Sequence, residues 1–146
     1  MSILLDTCVI SELIKPAPDP VVLAWTENTP EGTCFLSTIT LGEVMDGIWR
    51  LAAGKRRWRL EAWFEGLLVR YQARIIPVDA AVARKWGRLA GELARRGAPT
   101  SMADGLIAAT ALVHGLKVAT RNIADFRPFE VEIVDPWTSK HLSPKT

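Results

Sequence analysis

Cys8 and Cys34, with His114 and His141, are the chain's only cysteines and histidines across 146 residues. That scarcity excludes a disulfide framework and a histidine- or thiolate-rich metal cage. The two cysteines have no metal-ligand spacing, and each lies in or beside an apolar stretch, so both read as free core thiols. His114 stands at a helix end before Gly115, where an imidazole caps carbonyls. His141 falls in a polar tail, so neither histidine is placed as a general base. No apolar run approaches the ~20 residues of a membrane span. Met1-Ser2-Ile3-Leu4-Leu5-Asp6 has no basic lead-in and no cleavage site, and the expectation is a cytoplasmic protein without a membrane partner. Repeats and linkers are also lacking. This points to one domain over residues 1–137 and a polar, loose tail over 138–146.

Hydrophobic residues make up 49% of the chain, enough for a packed core and too many for a disordered one. The net charge of +2 conceals an uneven distribution. Residues 50–96 carry 12 Lys/Arg against 4 Asp/Glu, while the remainder carries 6 against 12. A basic middle beside acidic ends suits a polyanion held by its phosphates. Arg50, Lys55, Arg56, Arg57 and Arg59 are the candidates for such contacts. The plainer alternative is a solvated helix face. Trp49 and Trp58 flank this stretch and fit base stacking, a partner's helix, or ordinary dimer or core packing. Trp63 and Trp86 fall on apolar helical stripes and read as core.

Short apolar runs alternate with helical periods. Strands are expected at Ile3–Leu5, Cys34–Ser37, Arg74–Pro77, Leu116–Thr120 and Val131–Val134. Helices are expected at Thr7–Lys15, Val21–Asn28, Thr38–Ala53, Arg57–Tyr71, Ala80–Arg96 and Ser101–His114, with a short turn or helix at Asn122–Phe126. Asp79 reads as an N-cap, and Gly97 and Gly115 as helix stops. The alternation implies an α/β domain with a mainly parallel central sheet covered on both faces, a three-layer α/β/α arrangement.

Three acids stand where helices begin: Asp6 after Ile3-Leu4-Leu5, Glu43 after the second strand, and Asp104 after the Gly97–Pro99 break. Each has an ordinary structural reading. Asp6 fits an N-cap, and Thr40-Leu41-Gly42-Glu43 and Ser101-Met102-Ala103-Asp104 both fit the capping box. Together they can meet at the carboxyl edge of a parallel sheet, where open α/β sheets bind ligands. Clustered carboxylates repel one another unless a cation or proton intervenes. A hard divalent ion such as Mg²⁺ or Mn²⁺, and phosphodiester chemistry, is the expectation. Thr7 and Thr120 are placed to orient a water or phosphate there, or to bond the local backbone.

These segments resemble a known family. Leu4-Leu5-Asp6-Thr7-Cys8-Val9-Ile10-Ser11-Glu12-Leu13 is similar to the opening motif of PIN-domain nucleases, and Ser37-x-x-Thr40-x-Gly42-Glu43 to their second. Ala103-Asp104-Gly105-Leu106-Ile107-Ala108-Ala109-Thr110-Ala111 is similar to the third, and Ala119-Thr120-Arg121-Asn122-x-x-Asp125-Phe126 to the fourth. The likeness runs from Met1 to about Trp137 and is greatest to VapC-type toxins, including the FitB-like branch. It implies a metal-dependent endoribonuclease, a cognate VapB-type or FitA-like antitoxin, and pairing of two copies. Asp6, Glu43 and Asp104 match the family's acidic ligands. Cys8 stands where many relatives have Asn, and a thiol lacks the paired donor and acceptor of an amide. Asn122 stands where many have the fourth acid, so that position lies between Asn122 and Asp125. Two other classes compete. A phosphatase of the haloacid-dehalogenase type needs a second Asp where Cys8 stands. A metal-free RNA-binding or interaction module would keep the acids only as caps.

Overall fold

Ile3-Leu4-Leu5 shows no polar alternation because both of its faces are covered. Ile3 and Leu5 join one core cluster, with Val9, Leu36, Ile48, Phe64 and Leu67. Leu4 joins the other, with Ile107, Ala108, Val118, Phe126 and Ile133. Such two-sided burial is what a central parallel strand requires. The computed structural model describes residues 1–144. Its elements are β1 (Ile3–Leu5), α1 (Thr7–Leu13), α2 (Pro20–Glu27), β2 (Cys34–Ser37), α3 (Thr38–Trp49), α4 (Lys55–Arg70) and β3 (Ile75–Ile76). There follow α5 (Ala80–Arg95), α6 (Met102–His114), β4 (Lys117–Ala119), α7 (Ile123–Phe126), β5 (Ile133–Asp135) and β6 (Lys140–Leu142).

The sheet order is β3-β2-β1-β4-β5-β6. The first five strands are parallel, and β6 runs antiparallel to β5. Helices α1, α3 and α4 pack on one face, and α5, α6 and α7 on the other. The expected α/β/α architecture is therefore present. The ladder continues one residue past β1 and β4. Asp6 N–H donates to Ala119 O at 2.9 Å and Thr120 N–H to Val134 O at 2.9 Å. Asp6 and Thr120 are thus fixed side by side at the carboxyl edge.

Several boundaries differ from the sequence expectations, each for a local reason. Helix α2 begins at Pro20, not Val21, because Asp19 caps it by accepting from Val21 N–H at 2.8 Å and Pro suits the first helical position. Helix α3 ends at Trp49 rather than Ala53, and α4 begins at Lys55 rather than Arg57. Gly54 therefore precedes α4 instead of closing α3. The Trp49 ring lies 4.3 Å from the Arg57 guanidinium and braces that corner. Helix α1 stops at Leu13, short of Lys15. Buried Glu12 accepts from Lys15 Nζ at 3.0 Å and Asp19 N–H at 3.1 Å, folding the chain back toward α2.

The tail expected to be loose carries β6. It covers the edge β5 would otherwise present, pairing Ile133 with Leu142 and Asp135 with Lys140. Buried Asp135 makes the turn by accepting from Trp137 N–H and the Thr138 hydroxyl. Of the expected tail, residues 145–146 lie outside the described range. Gly97 and Gly115 do stop their helices, with φ of 74° and 66°, a region L-residues with a Cβ disfavour.

Helix α6 is buried from Gly105 through Ala111. It approaches α5 closely because Gly105 has no side chain. A Cβ there would lie 2.6 Å from Trp86 Cδ1. Gly105→Ala should therefore lose about 1–3 kcal/mol in urea denaturation despite alanine's better helix propensity. Adding Trp86→Leu should recover part of the loss. A Gly105→Ala protein as stable as wild type would contradict this packing.

Candidate acidic metal centre

Asp6 is the most constrained acid at this edge, only 3% exposed. It caps α1, its Oδ1 accepting from Thr7 N–H at 2.8 Å. Its Oδ2 accepts from the Thr120 hydroxyl at 2.8 Å and from the Cys8 thiol at 3.5 Å. Among the described residues, no cation pairs with the group. Burial raises its pKa, the donors from Thr120, Thr7 and Cys8 oppose the rise, and the charge of Asp104 adds to it.

Asp104 lies in the first turn of α6, where Ser101 accepts from its backbone N–H at 3.1 Å. Its carboxyl pKa is also raised, by burial first and then by the charge of Asp125, with the Ser101 hydroxyl opposing. Asp125 sits exposed in α7. Asp6, Asp104 and Asp125 therefore form a chain of mutually repelling carboxylates. Glu43 reaches the edge from α3 by accepting from the Thr7 hydroxyl at 2.6 Å. The capping-box reading of Glu43 fails: Ser37 caps α3, accepting from Ile39 N–H at 3.0 Å, and Glu43 lies deeper in the helix.

The two threonines are already committed. Thr120 is fully buried, donates to Asp6, and accepts from Asn122 N–H at 3.0 Å. It ties β1 to the start of α7 and offers no surface to a phosphate. Thr7 bridges toward Glu43, with buried Thr40, read in the sequence as the first residue of a capping box, at 3.4 Å. Cys8 does retain a donor and an acceptor role, contrary to the sequence expectation. Its thiol reaches Asp6, and its Sγ accepts from Arg121 N–H at 3.5 Å. Burial and the nearby Asp6 charge push the thiol pKa up to about 11, so it is protonated near neutrality. Asn122 is exposed, and its side chain does not cap α7.

The donor set suits a hard divalent cation. It is made of carboxylate oxygens, and two of the carboxyls, Asp6 and Asp104, have pKa values raised first by burial and further by a neighbouring carboxylate. Among the described residues, no three His, Cys, Asp or Glu side chains converge into a cage. The acids are strung along the edge instead. That spacing fits an ion held by one or two carboxylates, with water and substrate oxygens completing its shell.

The basic candidates divide. Arg50 pairs with Asp46 at 2.8 Å, and half-buried Arg57 stacks on Trp49. Arg56 and Arg59 line a cleft with Lys15, Ser11 and Leu60 beside α1. Lys55 is exposed on the first turn of α4. Trp49 and Trp58 are 57% and 65% exposed, which rules out core packing for both within the chain. Trp63 and Trp86 pack against the core clusters.

The family model described as "PIN domain" matches residues 3–128. The chain is 40% identical over 136 residues to the VapC ribonuclease Y4jK of Sinorhizobium fredii, covering 92% of this chain and 97% of that protein. The crystal structure of FitAcB from Neisseria gonorrhoeae superposes with a TM-score of 0.87 at 38% identity, covering 92% and 98% of the two chains. DNA-bound VapBC from Salmonella typhimurium gives a TM-score of 0.76 at 29% identity, covering 93% and 98%.

Raised carboxyl pKa values carry a definite sign. Asp6 and Asp104 hold protons more tightly in the folded chain than in the unfolded one. Their contribution to stability is complete below the ordinary carboxylate value of 3.8 and is lost as pH rises through the elevated folded values. Without divalent ions, Asp104→Asn should therefore melt above wild type at pH 7. The gap should shrink as pH falls toward 4. A variant that melts lower at pH 7 would show that Asp104 is not charge-frustrated.

Proposed function

This chain belongs to the PIN domain family, and from that premise we propose that it is a metal-dependent endoribonuclease acting as the toxin of a toxin–antitoxin pair. The observation that carries the reading is buried Asp6, held by three donors, opposed by Asp104, and without a paired cation among the described residues. The names and assemblies of the relatives support it: one is a ribonuclease, and VapBC was solved bound to DNA.

A divalent ion, Mg²⁺ or Mn²⁺, would be held by Asp6 and Asp104, with Glu43 and Asp125 completing its surroundings through water. When bound it would lower the pKa of a water and neutralise charge on the phosphate. The remaining work falls to the side chains. Thr7 N–H and the Thr120 hydroxyl fix the plane of the Asp6 carboxylate. The Thr7 hydroxyl aims Glu43 toward the same edge. Asp125 is the better candidate for the fourth acid because its charge already reaches Asp104, and Asn122 is left to orient water. The RNA substrate would run over Lys55, Arg56 and Arg59, since Arg50 and Arg57 have internal partners. A VapB-type or FitA-like antitoxin and a second copy of the chain are the protein partners in this reading. Among the described residues no helix is long and apolar enough to cross a membrane.

The absence of a three-acid cage favours one rival, a catalytically silent RNA-binding or interaction module. Asp6→Asn, Glu43→Gln and Asp104→Asn separate the two. Each should reduce Mn²⁺-dependent RNA cleavage by at least about a hundredfold with circular dichroism unchanged. If the acids serve only the fold, cleavage persists, and Asp6→Asn shows at most the ~0.5–2 kcal/mol loss typical of a weakened cap.

A further inference from the structure

Arg121 stands between two residues of the acidic edge, Thr120 and Asn122, with its own chemistry unassigned. Its backbone is pinned there. Arg121 N–H donates to Cys8 Sγ at 3.5 Å, and the next residue, Asn122, donates its N–H to Thr120 Oγ1 at 3.0 Å. Its exposed side chain turns onto Trp137, with the guanidinium 5.1 Å from the ring centroid. Trp137 is itself held. Its N–H donates to Asp135 Oδ1 at 2.9 Å, and its indole packs against the core on the α1 side of the sheet. A buried carboxylate thus holds the Trp137 backbone, and the Trp137 ring stacks on a cation.

That cation has no salt-bridge partner among the described residues, although its charge is felt at Glu12. Arg50 pairs with Asp46, and Arg70 and Arg74 share Glu31. Among the described residues, Arg121 has no carboxylate within ion-pair distance. Stacking uses the face of the guanidinium and leaves its N–H donors free around the rim. The groups acting on Asp6 and Asp104 are hydroxyls, a thiol, a backbone N–H and other carboxylates. A phosphate close to those carboxylates meets repulsion unless a cation neutralises it.

We propose that Arg121, braced by Trp137, is the substrate-positioning residue that grips the RNA phosphate adjoining the scissile one. This rests on the ribonuclease reading above. Arg supplies a planar, two-pronged donor set that matches phosphate oxygens. Trp137 is a positioning residue, acting only through Arg121.

The test is steady-state cleavage of a short single-stranded RNA with Mn²⁺ over a series of salt concentrations. Arg121→Ala should raise KM about tenfold with kcat changed less than about twofold. It should flatten the dependence of log(1/KM) on log[salt] by about 0.7, the value for one lost phosphate contact on a single strand. Arg121→Lys should keep the slope with an intermediate KM. Trp137→Leu should also keep the slope and raise KM less than Arg121→Ala. Arg88→Ala, on exposed α5, should behave as wild type. If Arg121→Ala melts early, the Lys variant at wild-type stability carries the comparison, and an unchanged KM there overturns the proposal. Unchanged KM and slope in Arg121→Ala overturn it as well. So does a loss confined to antitoxin binding, which would assign Arg121 to the protein interface. A wild-type protein that cleaves no RNA would instead remove the ribonuclease reading, and this inference with it.

Discussion

The structure depends on Asp6, a buried carboxylate with no cation paired to it among the described residues. Asp6 ends the central strand, where β1 is flanked by β2 and β4, and its oxygens accept from Thr7 N–H, the Thr120 hydroxyl and the Cys8 thiol. Those bonds hold together the end of β1, the start of α1 and the turn after β4. They do not neutralise the charge. Burial and Asp104 keep the group's pKa raised, and Asp125 does the same to Asp104. An unpaired buried charge is costly. Its hydrogen bonds serve the fold, and the charge they leave uncompensated suits a ligand for a cation.

The parallel sheet makes that concentration of charge possible. Five strands share one direction, so the residues following β1 and β4 emerge at the same edge. Helix α6 adds Asp104 because Gly105 lets it lie against Trp86, and α3 adds Glu43 through the Thr7 hydroxyl. Acids from four separate segments are thus brought to one edge of the sheet without converging into a three-acid cage among the described residues. Asp6 is buried among three donors, whereas Glu43 and Asp125 are exposed.

Much of this was legible in the sequence. A short apolar run followed by Asp6 marks a central strand ending at an edge, and Cys34–Ser37 was bounded correctly by the same logic. The N-caps Asp79 and Ser101 and the stops at Gly97 and Gly115 follow from local chemistry that tertiary packing did not override. What escaped depends on distant partners. Strand β6 is a polar Lys-His-Leu segment recruited by an open edge, and nothing in its own pattern shows that. The role of Thr120 depends on Asp6, 114 positions away. The basic middle looked uniform, yet Asp46 pairs with Arg50, and Arg57 lies over Trp49 with a hydrogen bond to Leu51 O, while the less conspicuous Arg121 has, among the described residues, no carboxylate within ion-pair distance. Charge counts locate a cationic region, and only geometry tells which cations are free.

The central claim is that the Asp6–Asp104 pair is a divalent-cation site. The most direct measurement is an anomalous difference map from crystals grown with Mn²⁺. A peak within coordinating distance of both carboxylates, absent in crystals of the Asp104→Asn variant, is the result this account predicts. A map from well-ordered wild-type crystals with no peak at that edge, or with Mn²⁺ bound only elsewhere, would contradict it.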